Sequence, residues 1–142
     1  MYGVDFTDAL NEWLEQVSKL ANLTPDQQTN ITKAGAEIYK EKLEQATKSK
    51  HYSSHDDKTY GHMADNITFQ GADIDGKKTG ISSVGWNNHY HAMNAMRLND
   101  GTKSIRADHF VTELQDSEKV KNEVLMAEKN EYEKLVKKVG GD

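Results

Sequence analysis

The sequence predicts an α+β fold: long N-terminal helices, a small antiparallel β-sheet built on a hairpin, and a long C-terminal helix. Three observations predict it. Apolar residues recur at steps of three and four towards both ends of the chain, they alternate with polar ones in the middle, and Asp75-Gly76 places a strong turn within the alternating part. With 142 residues, positions 1–142 are read as a single domain around one modest core. Apolar residues make up 35% and charged residues 29%, a polar balance for a compact chain. It suits helices with one buried stripe, or a subunit that completes its core by assembling.

Phe6, Ala9, Leu10, Trp13, Leu14, Val17, Leu20 and Ala21 share one helical face, with Asp5 or Thr7 as cap. A second helix opens at Thr24-Pro25-Asp26-Gln27, where Thr24 and Gln27 form a capping box and Pro25 suits the first helical position. Its stripe (Ile31, Ala34, Gly35, Ile38, Tyr39, Leu43, Ala46) runs to about Ser49 and contains small residues that admit a close neighbour. From Lys48 to Gly61 the period vanishes, and the Ser-, Asp- and His-rich stretch reads as a surface loop.

Ile67 and Phe69, continued by Ala72 and Ile74, alternate as a half-buried strand. Asp75-Gly76 is then expected to form a two-residue hairpin turn, followed by a second strand over Thr79–Trp86. His89–Leu98 forms a short helix, broken by Asn99-Asp100-Gly101 with Gly101 at positive φ. The last helix starts with Asp108 as N-cap, carries an irregularity at Asp116-Ser117, and uses Val120, Val124, Leu125, Tyr132, Leu135, Val136 and Val139 as its buried face. Lys134, Lys137 and Lys138 suit its C-terminal dipole, and Gly140-Gly141 stops it.

The formal net charge is −5, from 18 basic and 23 acidic residues, which argues against a general nucleic-acid binder. The chain has no cysteine, so disulfides and thiolate metal sites are excluded. No apolar run approaches the roughly 20 residues of a membrane-spanning helix, and no basic-then-apolar leader opens the chain; a soluble intracellular protein without a membrane partner is expected.

The sequence offers little catalytic chemistry. His89 and His91 would diverge on a helix, His109 adjoins Asp108, and His51 and His55 share the polar loop with Asp56 and Asp57. A zinc site needs three or four converging ligands, and no HExxH pattern supplies them. Ser53, Ser54, Ser82 and Ser83 stand outside any GxSxG context, and "GADIDGKKTG" lacks the phosphate-loop spacing. No catalytic residue, metal ligand or cofactor is therefore assigned. A metal-dependent enzyme using His89, His91 or His109, and a helical adaptor of non-phage type, stand as rival readings.

Three segments, "TYGHMADNITF", "YHAMNAMRLNDGTK" and "ADHFVTEL", together resemble the siphophage neck and head–tail joining (tail-component) family of Gram-positive phages and prophages. The positions carrying the resemblance or framing its turns are Gly61, Ile67, Asp75, Gly76, Gly101, His109 and Phe110. The resemblance implies a non-enzymatic virion protein, assembled in the host cytoplasm as a ring, hexameric in the virion, between connector or head-closure proteins and the tail. DNA would pass through its lumen without specific binding. On this reading Gly101-Thr102 reverses the chain so that Arg97 and residues 103–106 face outward. Arg97, Thr102, Lys103 and Arg106 are then the expected assembly interface, while Phe110 fixes the last helix to the sheet.

Overall fold

A computed structural model of the chain describes residues 2–5, 23–51 and 61–140. The helix expected over Phe6–Ala21 and most of the polar loop fall outside these residues. The elements run β1 (Tyr2–Asp5), α1 (Pro25–His51), a short 3-10 turn (Met63–Asn66), β2 (Ile67–Gln70), β3 (Ser83–Trp86), α2 (His89–Asp100), α3 (Phe110–Asp116) and α4 (Glu118–Gly140). This is the expected α+β architecture of long helices and a small antiparallel sheet.

α1 begins where local chemistry places it. The Thr24 amide donates to Gln27 Oε1 at 2.9 Å and the Gln27 amide donates to Thr24 Oγ1 at 3.2 Å, a reciprocal box that satisfies amides the helix leaves unpaired. The helix continues to His51, past the expected stop near Ser49. Its buried face holds Ile31, Thr32, Gly35, Ala36, Tyr39, Leu43 and Thr47. Two threonines stand on that face because each finds an acceptor: Thr47 Oγ1 donates to Leu43 O at 2.7 Å, and Thr32 Oγ1 donates to Gly80 O at 2.8 Å.

The sheet has the order β1-β3-β2, with both pairings antiparallel. β1 pairs Tyr2 with Trp86 and Asp5 with Ser83, a strand absent from the reading of the sequence. β2 pairs Ile67 with Trp86 and Gln70 with Ser83. The hairpin between β2 and β3 is therefore real, but residues 71–82 form its connection, and the expected two-residue turn is corrected accordingly. Asp75 and Gly76 do turn the chain, within that connection: the Gly76 amide donates to Asp73 O, the Lys77 amide to Asp73 Oδ1 at 2.8 Å, and Gly76 has φ of 87°. The expected second strand over Thr79–Trp86 shrinks to Ser83–Trp86, and Ala72 and Ile74 leave the first. Gly80 bends away at φ of 89°, and Thr32 holds both Gly80 and Ser82, whose hydroxyl lies 2.8 Å from Thr32 Oγ1.

The core gathers Ala36, Tyr39 and Leu43 of α1, Ile67, Val84 and Trp86 of the sheet, Ala95 of α2, Phe110 of α3, and Val120 and Val124 of α4. Each large aliphatic or aromatic side chain buried there contributes about 1.5–3 kcal/mol of transfer free energy. Trp86 also satisfies its indole N–H on Met63 O at 3.0 Å, which ties the 3-10 turn to the sheet. α4 packs along α1, and a Cβ on Gly35 would come within 2.9 Å of Val124 Cγ1 and 2.7 Å of Glu128 Oε1. The small residues on α1 thus admit α4 closely. Lys42–Glu123 at 3.0 Å and Lys50–Glu113 at 3.2 Å edge α1 at two points, each pair partly exposed and worth little alone.

Candidate functional site

The C-terminal part of α2, the loop behind it and α3 carry every residue assigned to an interface. α2 is capped at its start by Asn88, whose side-chain oxygen accepts the His91 amide at 2.8 Å. It runs through Asn99 and Asp100, which were expected to break it. Gly101 then stands at φ 83° and ψ 166°, a conformation that is essentially glycine's own. A Cβ there would lie 2.9 Å from the Ala107 amide nitrogen. The Gly101 amide closes the helix on Arg97 O at 2.8 Å.

Residues 102–106 form a small loop organised by Thr102. Its Oγ1 accepts the Ser104 and Ile105 amides at 3.2 and 3.1 Å, while its own amide donates to Ile105 O at 2.8 Å. The chain returns to α2 through the Asp108 amide on Leu98 O and the His109 amide on Asn99 O. The Asp108 carboxylate accepts the Phe110 amide at 3.0 Å, but His109, in the left-handed region at φ 58°, lies between that acceptor and the helix. The expected N-cap is thereby corrected: His109 holds the N-cap position without a side-chain cap, and Asp108, one residue earlier, accepts the first helical amide because the left-handed His109 turns the chain between them.

Asn99 joins the two helices, and its role went unread in the sequence. It is buried; its Oδ1 accepts the Val111 and Thr112 amides at 3.0 Å each, and its Nδ2 donates to Thr112 Oγ1 and Asp100 Oδ1 at 2.9 Å each. A residue on α2 thereby supplies the capping contacts of α3. In the sequence Asn99 belongs to an Asn-Asp-Gly string, whose ordinary meaning is a turn, so no local signal marks it.

The assigned residues separate into two groups. Arg97, Thr102, Lys103 and Arg106 are exposed, together with Ile105. The side chains of Arg97, Lys103 and Arg106 form no ion pair among the described residues. Phe110 is buried in the core and Ile67 lies in it at the head of β2. Gly61, Gly76 and Gly101 all have positive φ, and Asp75 and Gly76 lie in an exposed turn. Beside the loop, α2 and α3 flank an open groove of about 450 Å³ lined by Trp86, Ala92, Met93, Met96, Val111 and Gln115, among others. Met96 is half exposed at this groove.

His91 is buried, His89 and His109 are exposed on different elements, and among the described residues no three His, Asp or Glu side chains are grouped to hold a metal. No described helix is long and apolar enough to cross a membrane. One titratable group stands apart. Glu128 follows Val120 and Val124 at steps of four on α4, is 1% exposed against α1, and its Oε2 has no hydrogen-bond partner among the described residues. Burial pushes its carboxyl up to about 8.

A protein-family model matches most of the chain. The chain belongs to the HK97-gp10-like family, described as "Bacteriophage HK97-gp10, putative tail-component", whose model covers residues 11–101. It is accordingly a bacteriophage structural protein of tail-component type. No curated protein and no solved structure matches the chain. The matched range takes in α1, β2, β3 and α2, and leaves out β1 and "ADHFVTEL".

Proposed function

We propose that the protein is a ring-forming component of the phage neck, joining head-side connector or head-closure proteins to the tail within the virion. The observation that carries this reading is family membership combined with a rigidly built loop that, with the last turn of α2, directs Arg97, Lys103 and Arg106 into solvent without ion-pair partners among the described residues. A surface loop that serves only to connect two helices needs neither the Thr102 turn nor three uncompensated cations. In a closed ring each contact recurs, so a small polar interface suffices for a stable assembly.

The net charge of −5 favours a lumen that repels phosphate, through which DNA slides without binding. Mass measurement across a concentration series should show a closed oligomer, and co-purification should recover connector or tail proteins. A chain that stays monomeric at all concentrations and binds neither neighbour refutes the ring reading, and a ring whose channel proved basic would refute the phosphate-repelling lumen.

A further inference from the structure

We infer that residues 125–140, the second half of α4, form an arm latched onto α1 by Glu128, which holds the arm closed while its carboxyl carries a proton and releases it when the proton is lost. The inference stands apart from the ring reading. α4 packs chiefly on α1, with α3 its next described neighbour. Its first half is anchored by Val120 and Val124, both in the core. Beyond Val124 the anchoring changes. Among the arm residues whose burial is described, Glu128 is the only buried one; Tyr132 and Leu135, next in step, are half-buried, and Met126 is 58% exposed. The Glu128 side chain lies across Gly35, so closely that a Cβ there would meet its Cγ at 3.0 Å. Among the described residues, what the arm buries against α1 is therefore a carboxyl.

That seam tolerates a neutral acid far better than an anion. Glu128 Oε2 has no hydrogen-bond partner, and no described cation lies within ion-pair distance of the carboxyl. Burial raises the carboxyl to about 8. The charged groups of the elements around it are directed elsewhere. On α1, Tyr39 stands one turn from Gly35 on the same buried face, its phenol pushed up by burial. Lys33 and Glu37 are exposed and line a hollow with Glu131 of α4 and Phe69 of β2. Lys42 pairs with Glu123 at 3.0 Å, Lys134 reaches Glu131 at 4.0 Å, and Lys129 is exposed. β2 has no titratable residue. An ionised Glu128 thus gains by leaving the seam for water. With the closed value at about 8 and the ordinary one at 4.5, opening becomes about tenfold easier for each pH unit between them and levels off above.

Native-state amide exchange reads the arm directly. At pH 7.5 the wild-type amides of residues 125–132 should be about tenfold or more less protected than those of Val84 and Ala95. Their exchange should also depend less steeply on urea, because opening the arm exposes only part of the surface that unfolding exposes. E128Q, which keeps the shape and cannot ionise, should restore protection to the arm. The ratio of wild-type to E128Q exchange at these amides should rise about tenfold or more between pH 5.5 and 7.5. E128L removes the carboxyl altogether and serves the same comparison should E128Q fail to fold. Arm amides with the protection and urea slope of Val84 and Ala95 would mean that α4 opens only with the whole fold, which overturns the latch. An arm equally labile in wild type and variants, with one ratio at every pH, overturns it as well and reduces the end of α4 to ordinary fraying.

Discussion

Along the α1–α4 seam a carboxyl, Glu128, is enclosed with one oxygen lacking a hydrogen-bond partner among the described residues, although the helices around it pack closely enough for Gly35 to be needed. In the loop joining α2 to α3 the balance is reversed. There the polar groups are satisfied within the loop, by Asn99, Thr102 and Asp108, and the side chains beyond them point into water. The seam thus tolerates a destabilising group inside a tight interface, while the loop maintains a costly backbone shape at the surface. A protein selected only for stability has no reason for either. On the proposed ring reading, an assembly role belongs to the region whose internal order exceeds what its own packing requires.

The largest effect expected from breaking this contrast concerns Glu128. Its folded pKa of about 8 lies above the unfolded value of 4.5, so the folded chain holds a proton that the unfolded chain releases. The stability associated with that proton is fully present below pH 4.5 and is lost as pH rises towards 8. At about 1.4 kcal/mol per unit, the loss reaches roughly 3 kcal/mol by pH 7. Glu128→Gln should flatten the dependence of melting temperature on pH between 5 and 8. Equal slopes in the two proteins would mean that the carboxyl titrates normally in the fold.

Next comes the loop's backbone. Gly101→Val places a β-branched residue at φ 83° with its Cβ against the Ala107 amide, and should cost about 2–3 kcal/mol in denaturant unfolding. Gly76 provides the control. It too has positive φ, but nothing lies within 4 Å of a Cβ there, so Gly76→Val should cost less than Gly101→Val. Equal losses would show that φ alone, and no contact within the loop, decides the effect.

Asn99→Ala is expected to cost about 1–2 kcal/mol, since it leaves the Val111 and Thr112 amides uncapped. Asn99→Asp should retain much of the wild-type stability, because a carboxylate still accepts both amides. Amide exchange at Val111 and Thr112 reads this directly. If these amides are equally protected in Asn99→Ala, the side chain is not their acceptor.

How far the fold could be read from sequence follows the range of the interactions involved. The start of α1 was legible because Thr24 and Gln27 are three residues apart and cap each other. The break at Asp116-Ser117 was legible for the same reason: the Val120 amide donates to Ser117 Oγ, so the residue that ends one helix starts the next. β1 was not legible, since Tyr2–Asp5 becomes a strand only by pairing with Ser83–Trp86 far along the chain. The connection at 71–82 was misread because Asp75-Gly76 signals a turn correctly but says nothing of the Thr32 contacts to Gly80 and Ser82, residues that precede the start of β3 at Ser83. At the candidate site the exposed cations and Gly101 were legible. Asn99 was not, because its partners lie on another helix, and Glu128 was hidden by its polarity although it falls in step with Val120 and Val124.

The smallest expected effect on stability separates the two regions most sharply. Arg97 is exposed in the last turn of α2, where its charge favours the helix dipole, so Arg97→Glu should lower stability by under about 1 kcal/mol. The same substitution is expected to weaken assembly at least tenfold, because Arg97 belongs to the proposed ring interface. A melting temperature close to wild type together with lost self-association places Arg97 outside the fold's own economy and inside a contact. Unfolding of the variant would instead make Arg97 a structural residue, and the loop a brace between α2 and α3 with no interface duty.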